Sequence, residues 1–270
     1  MTRRTRRAVF ATLLVGATAI TLCFLTLPVA AIFVDVGPRE LVASLDDPAA
    51  LDALVLSLQT TLLAVLVIVA VGTPAAYLLA TRRFPGRAWV LTLVELPLIL
   101  PPAAAGIGLL AAFGPQGILG PALTDAGIEL PLTTAAVVVA LIFVASPFYV
   151  RQAQAAFSTL DRNLVEASRT LGASEARTFA RVAVPLALPS LGTGLALAWG
   201  RALGEFGATL MFAGSFRGVT QTAPLAIFER FATDFTAALA LSAVLVALSG
   251  AILLVVKLLA GRTATEHALV

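Results

Sequence analysis

At 270 residues, 59% hydrophobic and only 12% charged, with a mean hydropathy of +0.98, this chain lies far outside the range of soluble globular domains. One cysteine and one histidine exclude a disulfide framework, a zinc site and histidine-based catalysis. The net charge of +3 and a pI near 9.7 do not require nucleic acid, because basic residues in membrane proteins collect in cytoplasmic loops.

Long apolar runs recur along the chain, and in a bilayer their backbone groups must be satisfied within each segment, which selects helices. The fold class is therefore an all-α polytopic membrane protein. Arg3, Arg4, Arg6 and Arg7 precede an apolar run over 8–34, too long for a cleaved signal and read as a retained first span. Cys23, inside it, is assigned to core packing, and His267 lies in a polar tail beside Glu266. Further apolar segments cover 53–81, 88–112, 132–150, 186–212 and 237–260, which makes six predicted transmembrane helices. Alternate connections differ in charge. The N-terminus, the 82–87 and 151–181 loops and the tail hold fourteen basic residues, whereas the other connections hold only Arg39, Arg217 and Arg230 with most of the acids. The positive-inside bias then places both termini and the 151–185 loop in the cytoplasm.

In the third segment Pro101-Pro102 must interrupt the helix, and Gly106 and Gly108 loosen it further. Either a broken helix lining a cavity or a simple kink satisfies that pattern. The 151–185 loop reads as two short helices broken at Gly172, with Leu160, Leu164, Val165 and Leu171 as an apolar stripe, Ser174 capping the second helix and Pro185 ending it. A solvated connector needs neither the break nor the stripe, so the loop is expected to dock a cytoplasmic partner.

The fifth segment carries Arg201, Glu205 and Thr209 at intervals of four, a polar row on one helical face. Beside it Gly192, Ala196, Gly200, Gly204 and Ala208 form a ridge of small residues suited to close helix packing or a dimer surface. Charges at this depth are costly, about 2.5–3.5 kcal/mol each on insertion scales, and mark either a path or a buried brace. No GxxxxGK[ST] phosphate loop occurs, so the chain is not its own ATPase, and no nucleophile–base pair suggests an enzyme. An ion-coupled carrier would call for internal repeats and several midplane acids, whereas Glu205 is the main candidate.

Glu166-Ala167-Ser168, three residues, Gly172, nine residues and Val182-Ala183-Val184-Pro185 resemble the EAA loop of ABC-importer permeases. The departures from EAA, Gly and Ile-x-Leu-Pro are Ser168, Val182 and Val184. LPLILPP, the glycine-rich stretch after it and ALGEFGATLMFAG are similar to the permease subunit of molybdate importers and their tungstate and sulfate relatives, a resemblance covering essentially residues 50–260. TQTAPLAIFERF at 220–231 is similar to the extracytoplasmic segment at the outer mouth of such permeases. The resemblance implies one permease domain over 1–270 of the ABC type I importer kind, in a prokaryotic cell membrane, importing a tetrahedral oxyanion with molybdate first. It implies that Glu166, Ala167, Ser168, Leu171 and Gly172 contact a cytosolic ABC ATPase, which holds ATP and magnesium while this chain holds no cofactor. Further implied partners are an extracytoplasmic oxyanion-binding protein and a second copy of the chain. Pro101, Pro102, Arg201, Gly204, Glu205 and Thr209 are the candidates for the path or its gate.

Overall fold

The computed structural model describes residues 3–267, and its regular elements are all helical. The side chains of Arg3, Arg4, Arg6, Arg262, Glu266 and His267, read above as polar flanks, lie outside the described part. In chain order the helices are α1 (Arg3–Val34), α2 (Pro38–Asp46), α3 (Pro48–Thr81), α4 (Arg87–Ile99), α5 (Pro102–Phe113), α6 (Gly120–Asp125), α7 (Thr134–Ser158), α8 (Arg162–Thr170), α9 (Glu175–Thr178), α10 (Val184–Leu203), α11 (Gly207–Ala213), α12 (Ala223–Phe231) and α13 (Phe235–His267). A π-helical turn, Phe179–Ala183, welds α9 to α10.

Five helical stretches are long and apolar enough to cross a membrane: Val9–Val34, Pro48–Thr81, Thr134–Ser158, Glu175–Leu203 and Phe235–Leu258. Counted as one broken span, the α4–α5 pair, bent by 119° at Leu100–Pro101, makes a sixth. Pro102 occupies the first position of α5, where its missing N–H costs nothing, so the double proline ends one helix and starts the next.

Local signals set the other boundaries. Asp47 caps α3 by accepting the Ala49 N–H at 3.0 Å, and Thr133 caps α7 through the Ala136 N–H at 3.2 Å. Asp161 and Ser174 do the same for α8 and α9. Gly172, at φ +85°, closes α8 in the left-handed conformation, with Ala173 N–H returning to Ser168 O at 3.1 Å. Pro185 does not end a helix. The π turn shifts the hydrogen-bond register, Val184 N–H reaching Phe179 O, so Pro185 falls in the first turn of α10 and the rod continues to Leu203.

The centre is α3, α7 and α10 packed along small residues. Ala64, Ala136, Ala140, Ala145, Ala153 and Ala198 are all buried. A Cβ on Gly72 would meet Tyr149 Cδ1 at 3.1 Å and Val150 Cγ2 at 3.2 Å, so the α3 backbone packs directly on these α7 side chains. Hydrogen bonds cross the same contacts: Thr73 Oγ1 with Tyr149 Oη at 2.7 Å, and Trp199 Nε1 donating to Thr61 Oγ1 at 3.2 Å. In lipid, where apolar burial alone does not drive helices together, such fits and bonds of about 0.6 kcal/mol each hold the bundle.

α1 lies against α13, and most of its apolar side chains are exposed on the protomer. Cys23 is exposed among them and is not a core residue; a thiol behaves as a small hydrophobe, so it needs no partner on such a face.

Gly72→Leu is expected to destabilise the purified protein by about 1–3 kcal/mol through overpacking, read as a lower melting temperature and loss of the monodisperse peak. Gly16→Leu, which meets nothing within 4 Å, is the tolerated comparison.

Candidate functional site

Two helix breaks meet inside the bundle. α10 ends at Leu203, Gly204 and Glu205 turn the chain, and α11 restarts at Gly207. A Cβ on Gly207 would lie 2.8 Å from Pro102 Cβ, and one on Gly106 would lie 2.6 Å from Ala208 O. The break in the fifth segment therefore packs on the break in the third, and only glycine at 106 and 207 permits the approach.

This corrects the continuous helix expected over 186–212. Arg201, Glu205 and Thr209 do not form one helical face, because the helix has stopped before Glu205. The small-residue ridge is likewise divided. Ala196 and Ala208 are buried, Ala208 against α5; Gly192 is half-buried; Gly200 and Gly204 are exposed, Gly200 with open space about it. The cause is the Gly-Glu-Phe-Gly stretch, two flexible residues flanking an acid that can cap.

Glu205 performs that capping. It is 1% exposed, its Oε1 accepts the Ala208 N–H at 2.8 Å, and its Oε2 lies 2.5 Å from Arg201 Nη2. The Arg201 contact has the distance of an ion pair but not the direction of a hydrogen bond. The Arg201 side chain is 27% exposed, and the Thr209 hydroxyl, fully buried, has no hydrogen-bond partner. Pro101 and Pro102 stand at the facing break.

From this junction a chain of contacts leads to one end of the bundle. Phe206 meets Phe228 of α12 with ring centres 5.0 Å apart. Arg230, two residues on, pairs with Asp47, the cap of α3, while Glu229 takes both Arg217 at 3.2 Å and Gln221. The Ala223 N–H donates to Ser57 Oγ at 2.7 Å, fixing the start of α12 on α3. The hydrogen bond from Arg230 holds the Asp47 carboxyl below its ordinary value of 3.8. At the opposite end Arg82 pairs with Glu175 at 2.5 Å, tying the 82–87 loop to the start of α9. There α8 exposes Ala167, Leu164 and Leu171, the last 87% exposed, while Ser168 is turned inward to Thr178 at 3.1 Å. Glu166 is exposed and lines an open cavity together with Arg169.

Sequence reasoning missed the break at 204–206, whose signal was the paired glycines, and the pairs Asp47–Arg230, Arg82–Glu175 and Arg151–Glu95, which join residues far apart in the chain.

Six spans, two of them interrupted where they touch, with a helix pair hung from one end, have the layout of a helical membrane permease. The chain belongs to the family of binding-protein-dependent transport system inner membrane components, whose model matches residues 72–264. It is thus an ABC importer permease of the type I kind. The "Probable transport system permease protein NifC" of Clostridium pasteurianum is 37% identical over 251 residues, covering 93% of this chain and 88% of its own. The "Molybdenum transport system permease protein ModB" of Mycobacterium tuberculosis is 41% identical over 231 residues, 86% of this chain and 88% of its own. The "Probable sulfate transport system permease protein cysT" of Chlorokybus atmophyticus is 37% identical over 204 residues, 75% and 71% of the two. Among solved structures, a bacterial ABC transporter for the import of the polysaccharide alginate has a TM-score of 0.76 at 18% identity, covering 96% of both chains. A bacterial alginate ABC transporter in complex with an alginate pentasaccharide-bound periplasmic protein has a TM-score of 0.75 at 18% identity. At that identity the likeness speaks for the fold.

Glu205→Ala removes the cap and leaves Arg201 unpaired, and is expected to cost about 3–5 kcal/mol of stability. The double variant Arg201→Met, Glu205→Gln should recover most of it, since the glutamine oxygen still accepts the Ala208 N–H; thermal unfolding of both in detergent tests this. Because the folded carboxyl of Asp47 titrates below its unfolded value, its bridge stabilises fully above about pH 4 and is lost as pH falls through the lowered value. The stability difference between wild type and Asp47→Asn should therefore be constant from neutral pH down to about pH 5 and shrink below about pH 4.

Proposed function

We propose that this chain is the membrane-spanning subunit of an ATP-driven importer of a tetrahedral oxyanion, molybdate before tungstate or sulfate. Two copies would work with two cytosolic ATPase subunits and an extracytoplasmic oxyanion-binding protein, in a prokaryotic cell membrane with both chain termini and the 151–185 loop inside. The observation that carries the substrate is the 41% identity to molybdenum permeases along 86% of the chain, set against 37% over 75% for the sulfate relative. The coupling reading is supported by the α8–Gly172–α9 turn with Leu164 and Leu171 exposed, an apolar contact surface in search of a partner.

The geometry supplies a route for coupling. From Glu175 to Leu203 the chain is one helical rod of 29 residues, about 43 Å at 1.5 Å per residue. A push on α8 and α9 reaches the Arg201–Glu205 junction along that rod, and Phe206 passes it to α12 and the mouth. The π turn marks the point where the rod can flex. Arg201, paired by Glu205, offers donors to a passing anion without a deep charge well, as a conduit needs.

The test is elemental analysis of cells lacking the gene, grown on trace molybdate, tungstate and sulfate, with wild type or Leu171→Asp returned on a plasmid. Loss of cellular molybdenum, restored by wild type and not by the inserted but uncoupled Leu171→Asp protein, is the expected outcome. Loss of sulfur instead would make the chain a sulfate permease, and full rescue by Leu171→Asp would remove α8 as the ATPase contact.

A further inference from the structure

Between the last turns of α3 and α7 and one face of α8 lies an open cavity of about 600 Å³. Arg82, Arg83, Arg162 and Arg169 line it with Glu166 and Glu175, above a floor of Tyr77, Phe157 and Val165. Arg82 is matched by Glu175 at 2.5 Å. Among the described residues no carboxylate lies within ion-pair distance of Arg83, Arg162 or Arg169, and a guanidinium stays charged at any physiological pH. Across the Arg82–Glu175 bridge an apolar groove of about 440 Å³ follows Pro74, Leu78 and Phe179, sharing Tyr77 and Thr81 with the cavity.

A general bias of basic residues toward one side of the membrane accounts for arginines in these loops. It does not account for three unmatched ones converging on a cavity that opens beside an apolar groove at the end of the spans. Planar guanidinium groups match phosphate oxygens in pairs, and basic pockets between membrane helices on the cytoplasmic side take anionic lipid headgroups. A free anion would have no use for the groove. We propose that this cavity binds the phosphate headgroup of an anionic phospholipid, with an acyl chain laid along Pro74 and Leu78. Arg162, Val165, Glu166 and Arg169 sit at helical spacing on the cavity side of α8, while Leu164 and Leu171 are exposed elsewhere on it. A lipid so placed leaves Leu164, Ala167 and Leu171 uncovered. Only the naming of this side as cytoplasmic rests on the function proposed above; the binding does not.

Native mass spectrometry of the full-length protein, titrated in mild detergent with phosphatidylglycerol or phosphatidylcholine, tests the assignment without any transport assay. Wild type should retain phosphatidylglycerol in preference to phosphatidylcholine. Arg83→Gln and Arg169→Gln should each weaken it about five-fold, and together about twenty-five-fold. Arg83→Lys should keep most of the binding, and Arg217→Gln, at the other end of the molecule, should leave it unchanged. Should the double variant not fold, exposed Arg83 alone carries the test. Equal retention of the two lipids, or of phosphatidylglycerol by wild type and Arg83→Gln, would overturn the proposal. Inorganic phosphate binding with the same arginine dependence, while phosphatidylglycerol fails to bind, would overturn it in favour of a free anion.

Discussion

A helix that stops within a bilayer leaves N–H and C=O groups with no water to receive them, and this protein places two such stops against each other. At the α10–α11 stop, side chains of the break itself supply the missing partners. Glu205 supplies an acceptor to the first turn of α11 and a negative charge at its positive end, while Arg201 sits in the last turn of α10, where a cation suits the dipole. The two side chains also neutralise each other. One carboxylate thus closes a helix end, balances a charge and fixes the turn between α10 and α11. At the facing break Pro101 and Pro102 carry no N–H, which removes two of the donors that the start of α5 would otherwise leave unpaired.

What surrounds the junction follows from that closeness. Gly207 against Pro102 and Gly106 against Ala208 permit contact at backbone distance, and larger residues at 106 and 207 would force the two breaks apart. The same logic extends outward through Gly72 and Gly194, which meet Tyr149 and Gln152 of α7. A centre assembled from alanine, glycine and a few interhelical hydrogen bonds has little slack, since small side chains have no rotamers with which to absorb a displacement.

Much of this was legible in the sequence. Hydropathy gave the spans, Pro101-Pro102 gave the bend, and Gly172 with Ser174 gave the paired helices of the 151–185 loop, because each is a local signal acting through backbone chemistry. The row Arg201–Glu205–Thr209 was misjudged for an equally physical reason. Spacing of four implies a shared face only while the helix persists, and Gly204 with Gly207 allowed it to stop. Pro185 was misread because a π turn, invisible to 3.6-residue periodicity, moved it into a first turn. The pairs Asp47–Arg230 and Arg82–Glu175 are products of folding across 183 and 93 positions, and no local pattern announces them.

Those two pairs also show where the molecule is soft. Arg82 and Glu175 are each about half exposed, so that bridge belongs to the class that contributes roughly 0–1 kcal/mol, while the Asp47–Arg230 bridge is more shielded. Breaking the Arg82–Glu175 bridge is cheap compared with separating α3 from α7 along their alanine and glycine contact. A permease must open at one end and then the other without losing its fold. Ionic ties at both ends of a stiff bundle meet that need, because the ends can exchange partners while the centre keeps its register. The rod from Glu175 to Leu203 runs from one of these ties to the buried junction, with Glu175 held by the Arg82 bridge at one end and Arg201 held by Glu205 at the other.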